Sequence, residues 1–178
     1  MRVESLPAAL SSSTNVLILG SMPGVRSLAD GQYYAHPRNS FWQIMERLLG
    51  VSSTLPYRDR VEALNEAGVG VWDVLKHCVR EGSLDSRIAE ETEVPNDIPG
   101  LLREFPSVNM IAFNGQKAEK SFRRHFAQPH AGFDGIEFVS LPSTSPAHAS
   151  MSLELKTAAW GRILDVLKRS AEHGTTSR

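Results

Sequence analysis

Residues 15–24 read NVLILGSMPG, and this stretch decides the fold prediction. Its first part, from Val16 to Leu19, is apolar at every position, and the polar Asn15 and the flexible Gly20 bound it. Short runs of this kind are typical of strands that are covered on both faces, as in a parallel sheet. We therefore predict a buried strand at 15–20 that leads directly into a glycine-containing turn.

The rest of the chain alternates between helix-like and strand-like patterns. The clearest helix starts at Ser40, which forms a capping-box pattern with Gln43, and Gly50 supplies its stop. Apolar spacing predicts further strands at 69–73, 108–113 and 136–141, and further helices at 57–68, 96–105, 115–126 and 152–172. The segment from 74 to about 93 has no clear pattern. This alternation predicts an α/β fold, a three-layer αβα sandwich around a short, mainly parallel four-stranded sheet.

Length and composition are those of one globular domain. The chain has 178 residues, of which 41% are hydrophobic and 22% are charged. We expect a single domain over 1–178, with its core at about 15–170 and a flexible tail at 173–178. No apolar stretch is long enough to span a bilayer, and the N-terminus lacks the apolar core of a signal peptide. A cytoplasmic protein without membrane contact is therefore expected.

Cysteine and histidine usage argues against disulfide and metal chemistry. Cys78 is the only cysteine, which excludes an internal disulfide and a cysteine-held iron–sulfur cluster. The six histidines show no pair at metal-ligand spacing, so we expect neither a metal nor a cofactor. A net charge of −1 argues against coating nucleic acid by bulk electrostatics, but it permits a local grip on a few phosphates.

Ligands of parallel sheets bind beyond the carboxyl ends of the strands, so the loops after the first, third and fourth predicted strands are the candidate sites. The first loop is GSMPG, from Gly20 to Gly24, where two glycines and a proline can bring backbone amides close to a bound group. An ordinary strand-exit turn has the same composition. The turn matches neither a nucleoside-triphosphate phosphate loop nor a dinucleotide fingerprint.

The segment 33–42, YYAHPRNSFW, collects rigid rings and polar tips directly before a helix. Helix capping and core packing explain its last three residues, but they do not explain Tyr33, Tyr34, His36 and Asn39 together. A rigid ring beside a rigid amide suits a planar heterocycle, because the ring stacks on it while the amide meets its polar edge or orients a water. The alternative is that Asn39 only caps the helix.

Polar and small residues also follow the third and fourth predicted strands. Asn114 follows the third strand, and Gly115 opens a helix that carries Lys117 and other cations. After the fourth strand comes LPSTSPAHAS, 141–150, whose hydroxyls and small residues can approach a sugar-phosphate backbone closely. Each of these features also has a structural explanation without a ligand. Asn114 would form a local turn, Lys117 would lie on a solvated helix face, and 141–150 would be an ordinary Ser/Pro loop.

Together, GSMPG, YYAHPRNSFW and LPSTSPAHAS resemble the motifs of the uracil-DNA glycosylase superfamily, especially its mismatch-specific uracil/thymine branch and its hypoxanthine-DNA glycosylase branch. The resemblance runs in order from about residue 15 to residue 167. The mismatch-specific branch has a water-positioning Asn where this chain has Met22, and the aspartate of the main uracil-specific branch is missing too. With Asn39 supplied by the second motif instead, the pattern is similar to the hypoxanthine branch.

The resemblance implies a monofunctional DNA glycosylase that flips out a deaminated base, hypoxanthine or uracil, and hydrolyses its N-glycosidic bond in base excision repair. It implies Asn39 as the catalytic residue. The residues that it implies for binding the base are Ser21, Met22, Pro23, Tyr34, His36 and Asn114, and those for binding DNA are Gly24, Ser143, Thr144, Ser145, Ala147, His148 and Lys117.

The expected partner is DNA that contains deaminated bases, bound by a monomer that is nucleoid-associated when on DNA. As a carboxamide, Asn114 or Asn39 would match the lactam edge that hypoxanthine and uracil share. No lysine lies in the three motifs, so no Schiff-base lyase step is expected. A small-molecule nucleoside or nucleotide hydrolase and a non-catalytic lesion-binding module are the alternatives. The preferred lesion, strand form and opposing base stay open.

Overall fold

The computed structural model describes residues 1–126 and 132–175, with side chains described as far as residue 172. The strands are β1 (Arg2–Glu4), β2 (Val16–Gly20), β3 (Val69–Asp73), β4 (Leu75–Arg80), β5 (Ile88–Pro95), β6 (Met110–Asn114) and β7 (Glu137–Leu141). The helices are α1 (Val25–Asp30), α2 (Phe41–Leu49), α3 (Tyr57–Glu66), α4 (Ile98–Glu104), α5 (Gln116–His125), α6 (Leu153–Trp160) and α7 (Arg162–Thr175), with a short 3₁₀ helix at Asp85–Arg87.

The central sheet has the strand order β3-β2-β6-β7, and all of its pairs are parallel. Every residue of β2 is buried. On one face, Val16 and Ile18 pack with side chains of α2, α3, α6 and α7. On the other face, Leu17 and Leu19 pack with side chains of α4 and α5. The predicted three-layer αβα sandwich around a four-stranded parallel sheet is confirmed.

A second sheet, which the sequence did not predict, has the order β1-β4-β5 and is antiparallel. Two of its strands come from the segment 74–93, which showed no clear pattern. The β4–β5 ladder has register shifts on both sides of His77. Each shift breaks the alternation of buried and exposed positions, and this alternation is the signal by which a strand is recognised.

The predicted C-terminal helix at 152–172 is two helices, with the break at Gly161. Glycine weakens a helix interior, although the flanking apolar spacing continues through it. Trp160 and Ile163 are buried as predicted, whereas Leu164 and Leu167 are only partly buried. The backbone of 173–175 continues α7, and residues 176–178 of the predicted tail lie outside the described part of the chain. No helix among the described residues has the length and apolar character that a bilayer crossing requires.

Candidate functional site

A cavity of about 350 Å³ lies at the carboxyl edge of the parallel sheet. Its walls are the turn after β2, parts of the segment 33–39, the end of β3, the loop 83–86, the end of β6 and the loop 143–148. The carboxyl ends of parallel strands meet at one edge, which is why residues far apart in the sequence share this cavity.

The cavity brings together all but one of the site residues that the sequence predicted. Those that line it are Ser21, Met22, Pro23, Gly24, Tyr34, His36, Asn39, Asn114, Ser143, Thr144, Ser145, Ala147 and His148. Lys117 is not among the lining residues. Its ammonium instead lies 2.6 Å from a carboxylate oxygen of the buried Glu93 and 3.0 Å from one of Glu90. The structure therefore gives the charge of Lys117 a role in an ion-pair network away from the cavity.

Arg80 of β4 fixes the GSMPG turn by hydrogen bonds to its backbone. Sequence reasoning missed this residue. This guanidinium is 1% exposed. It donates hydrogen bonds to the carbonyl oxygens of Met22 (3.3 Å), Pro23 (2.5 Å) and Gly82 (2.9 Å). The second sheet thus fixes the first motif through one buried cation, and nothing in the sequence around Arg80 indicates this.

The ring of Tyr34 is held against Phe41, at 3.9 Å between centroids and 21° between planes. Its backbone has a φ of +57°, a left-handed conformation that residues other than glycine seldom adopt. The hydroxyl is buried without a hydrogen-bond partner among the described residues. Burial, with the nearby Asp73 carboxyl as a smaller cause, raises the pKa of this hydroxyl above its usual range. Tyr34 therefore presents a neutral, rigid aromatic ring to the cavity.

Asn39 bonds the start of α2 and also lines the cavity. Its Oδ1 accepts a hydrogen bond from the Phe41 N–H at 3.0 Å, so it caps α2. Ser40, the other predicted cap, makes no side-chain cap bond, and its hydroxyl instead donates to the Thr144 carbonyl oxygen at 3.3 Å. Asn39 also lines the cavity, and its Nδ2 donates no hydrogen bond within the described residues. The oxygen of the Asn39 carboxamide is thus hydrogen-bonded, and its NH₂ group is available to bond a ligand in the cavity.

The carboxamide of Asn114 is bonded to Thr144 at both ends. Its Nδ2 donates to Thr144 Oγ1 at 2.9 Å, and its Oδ1 accepts from the Thr144 N–H at 2.9 Å. Thr144 also receives the Ser40 N–H on its carbonyl oxygen at 3.0 Å. Asn114 therefore fixes the loop after β7, and contact with a base edge is limited to its second N–H and second lone pair.

Local bonds and one buried lysine stabilise the loop 143–148. The N–H groups of Ser145 and Ala147 donate to the hydroxyls of Ser143 and Ser145, both at 3.2 Å. Lys156 of α6 is 5% exposed and donates to the His148 carbonyl oxygen at 2.8 Å. The loop is thus a pre-formed surface.

Asp73 also lines the cavity, and sequence reasoning did not select it. It is the last residue of β3 and is 3% exposed. Burial first, and then the negative charge of Asp85, raises the pKa of Asp73 to about 8. Asp85 itself accepts a hydrogen bond from the Ser21 hydroxyl at 2.6 Å. The signal in the sequence is an aspartate at the carboxyl end of an apolar strand, the edge at which parallel sheets bind ligands.

Within the described ranges, no cluster of three or more His, Cys, Asp or Glu side chains could hold a metal ion. The expectation of a reaction without a metal stays a prediction, which a chelator can test.

Comparison with known proteins gives consistent matches over most of the chain. The family model of the uracil DNA glycosylase superfamily matches residues 7–168. A hypoxanthine DNA glycosylase of Methanosarcina acetivorans is 37% identical over 150 residues, which cover 84% of this chain and 90% of that protein. A hypoxanthine DNA glycosylase of Methanosarcina barkeri is 34% identical over 161 residues, with coverages of 90% and 96%.

A solved structure also matches. The solution NMR structure of a Methanosarcina acetivorans protein, described there as a candidate uracil DNA glycosylase, superimposes with a TM-score of 0.76 at 33% identity. The match covers 94% of this chain and 99% of that one. Fold and sequence therefore agree on one family.

Proposed function

Because this chain belongs to the uracil-DNA glycosylase superfamily, we propose that it removes hypoxanthine from DNA by hydrolysing the N-glycosidic bond of deoxyinosine. The chain is a DNA glycosylase, and the name of its relatives, hypoxanthine DNA glycosylase, supports this choice of lesion. The observation that carries the proposal is the cavity of about 350 Å³, where the Tyr34 ring, the Asn39 amide and a loop of small residues converge.

The shape of the site supports extrusion of the damaged nucleotide from the helix. A base cannot be reached inside a duplex, so enzymes of this kind rotate it into a pocket and stack it there. Phe41 covers one face of the Tyr34 ring, which fixes the ring as a platform for the base. Gly24 and the hydroxyls of Ser143 and Ser145 lie at the cavity wall and are proposed to contact the flanking phosphates.

Asn39 is proposed as the residue that directs the chemistry. Its free Nδ2 can hydrogen-bond the departing base, and the amide can orient the attacking water. Met22, in the motif that positions water in the mismatch-specific branch, can do neither. An amide is not a strong general base. The proposed transition state is therefore dissociative, with an oxocarbenium-like sugar, and the site offsets the negative charge that develops on the base as the bond breaks.

The lining of the cavity supports hydrolysis without a lyase step. No lysine is among the described residues that line it, so no amine is placed to form a Schiff base with the sugar. The product is then an abasic site with an intact backbone.

The choice of hypoxanthine rests on hydrogen-bond pattern and on the relatives. Hypoxanthine and uracil both present a carbonyl acceptor beside an N–H donor, whereas adenine and cytosine present the opposite pattern. A well-formed pair would disfavour the wrong pattern by roughly 1–3 kcal/mol. Uracil is the second candidate lesion, with the same edge on a smaller ring.

We further propose that one copy of the chain acts alone, in the cytoplasm, on nucleoid DNA. The cavity already holds the aromatic ring, the carboxamide and the small-residue loop that the proposed reaction uses, so a second copy is not needed to supply them. Sedimentation of the protein with and without a lesion duplex tests this point, and a dimer on the DNA would contradict it.

The test of the proposed function is base release from defined oligonucleotides. Single strands and duplexes that carry deoxyinosine, deoxyuridine or undamaged deoxyadenosine are incubated with the protein and then with alkali, which cleaves at abasic sites. We expect strand cleavage at deoxyinosine and none at deoxyadenosine. Tight lesion binding without cleavage would favour a binding module, and release only from the free nucleoside would favour a small-molecule hydrolase.

A further inference from the structure

The carboxyl group of Asp73 has no role in the site described so far. Asp73 lines the cavity and is 3% exposed. Its Oδ2 is buried and has no hydrogen-bond partner among the described residues. Burial of this oxygen disfavours the charged form of the carboxyl, so a group in this position is expected to hold its proton, while Arg80 and the Tyr33 hydroxyl act in the opposite sense as smaller effects.

Packing fixes this carboxyl beside the first motif. Asp73 and Gly20 are paired in the parallel register of β3 and β2. A Cβ atom on Gly20 would lie 2.6 Å from Asp73 Oδ1, closer than real atoms approach. The absence of a side chain at Gly20 therefore makes the space that Asp73 occupies, at the start of the turn that lines the base site.

The charged and titratable groups around Asp73 come from several elements. They are Arg80 from β4, Asp85 from the 3₁₀ helix, and Tyr33 and Tyr34 from the segment after α1. Arg80 directs its N–H groups to backbone carbonyl oxygens, and no described cation lies within ion-pair distance of Asp73. Burial, followed by repulsion from Asp85, raises the pKa of Asp73 to about 8. The raised pKa favours the neutral carboxyl, whose O–H can donate to a group in the cavity.

We propose that Asp73 is the proton donor of the reaction and that its carboxyl protonates the departing purine as the glycosidic bond breaks. This inference rests on the proposed function. In the step, the C1′–N9 bond breaks and both electrons go to the base. The Asp73 proton passes to an acceptor atom of the purine, so hypoxanthine leaves neutral. The water oxygen bonds to C1′, a water proton goes to solvent, and the Asp73 carboxylate regains a proton from solvent.

A carboxamide at this position would separate proton transfer from recognition. Asn offers a donor and an acceptor in the same places as a protonated carboxyl, but its N–H does not transfer a proton at neutral pH. Asp73→Asn thus keeps hydrogen bonds to the base and removes the acid. If Asp73 only reads the base edge or only packs against Gly20, this variant should keep its rate.

The experiment measures single-turnover release of hypoxanthine from a deoxyinosine duplex between about pH 6 and about pH 9.5. For the unmodified protein, we expect a rate constant that is level at low pH and falls about tenfold per pH unit above about pH 8. For Asp73→Asn, we expect a rate about 10²-fold lower at neutral pH, without this alkaline fall. The inosine N–H also ionises in alkali, and a fall from that source would persist in the variant.

Two further variants test whether the fall in rate at alkaline pH comes from ionisation of Asp73. Asp85→Asn removes the charge that repels the Asp73 carboxylate, so the fall should move to lower pH. Asp59→Asn is the matched control, because it makes the same change at an exposed position on α3 and should leave the profile unaltered. Binding to a 2′-fluoro-deoxyinosine duplex, whose fluorine slows bond cleavage, should be the same for Asp73→Asn and the unmodified protein.

Either of two results would overturn the proposal: an Asp73→Asn rate equal to that of the unmodified protein, or an alkaline fall that does not respond to Asp85→Asn. Failure of the proposed function is a different observation. In that case the unmodified protein would release no base from any lesion oligonucleotide at any pH.

Discussion

At the scale of single residues, the site holds groups in states that would be unfavourable elsewhere in the fold. The backbone of Tyr34 is left-handed, and the hydroxyl of this residue and one oxygen of Asp73 are buried without hydrogen-bond partners in the part of the chain that the structure describes. Such states cost of order 1–3 kcal/mol each and persist where the surrounding structure imposes them, often at functional sites. Both groups line the same cavity, so the strain is concentrated where a ligand is proposed to bind.

For Tyr34, the ring and not the hydroxyl is expected to matter. Tyr34→Phe keeps the ring on Phe41 and removes a hydroxyl that has no partner, so activity should be nearly unchanged. Tyr34→Ala removes the platform and should weaken activity on every lesion, by about 1–3 kcal/mol for a lost base stack. The check is base release under single-turnover conditions. A Phe variant as impaired as the Ala variant would assign the function to the hydroxyl.

The capping function and the proposed catalytic function of Asn39 can be tested separately. Asn39→Asp keeps the oxygen that accepts the Phe41 N–H but has no amide donor, so the melting temperature should be kept while the rate falls. Asn39→Ala should lose both, with about 1 kcal/mol of stability and a rate about 10²–10³-fold lower. Thermal melts and single-turnover rates of the two variants give the answer. A normal rate in the Asp variant would reduce Asn39 to a cap.

The raised pKa of Asp73 predicts how stability changes with pH. The pKa of Asp73 is about 8 in the folded state against an ordinary value of 3.8, so between these values the folded protein binds more protons than the unfolded chain. Folding stability from this group is then lost as pH rises across that window. Asp73→Asn removes the effect, so its stability relative to the unmodified protein should grow with pH, by up to a few kcal/mol above about pH 8. Urea unfolding at several pH values measures it, and a difference that does not vary with pH would contradict it.

The site residues that sequence could identify are those in compact motifs. Tyr34, His36 and Asn39 lie within six positions, next to a proline and a helix start, so their rigidity could be read locally. The role of Asp73 depends on how deeply β3 is buried and on the distance to Asp85, which lies 12 positions along the chain. Burial and distance of this kind exist only after folding.

At the scale of elements, the second sheet, β1-β4-β5, stabilises the site. β4 follows β3 after one residue and supplies Arg80, and the segment between β4 and β5 supplies Asp85. These two charged groups act on the first motif and on Asp73. The parallel strands were predictable because their apolar runs are continuous. β4 and β5 were not, because irregular pairing interrupts their pattern.

The hydrogen bonds between Asn114 of β6 and Thr144 in the loop after β7 can be tested by substitution of Thr144. Thr144→Val keeps the shape but removes the oxygen that accepts from Asn114, so a buried N–H is left without its partner. This should cost about 1–3 kcal/mol of stability and weaken binding to a lesion duplex. Thr144→Ser keeps the oxygen and is the matched control, with the smaller loss on both measures. Equal losses in the two variants would mean that the methyl group, not the hydrogen bond, stabilises this contact.

At the scale of the whole molecule, the chain is nearly neutral, with a net charge of −1. Recognition of DNA must then come from a small number of well-placed contacts, since bulk attraction between charges is weak. The cavity and the loop 143–148 are the proposed source of such contacts, and they lie within one part of the surface.

Activity should be independent of added metal. No described cluster of side chains fits a metal ion, and the proposed reaction uses amide, carboxyl and water groups only. Base release in excess chelator is expected to equal that in its absence. A loss in chelator that one metal ion restores would show that a ligand set was missed.

The order in which the walls of the cavity occur along the chain has a consequence for biosynthesis. The GSMPG turn is made early, whereas Thr144, the partner that Asn114 needs, is translated in the last quarter of the chain. Domains begin to fold while synthesis continues, so a nascent chain that ends before residue 142 can carry Asn39 and Asp73 without the loop 143–148 that is proposed to contact DNA. Prematurely terminated products of this gene are therefore expected not to remove bases from DNA. Glycosylase activity is expected only once translation is almost complete.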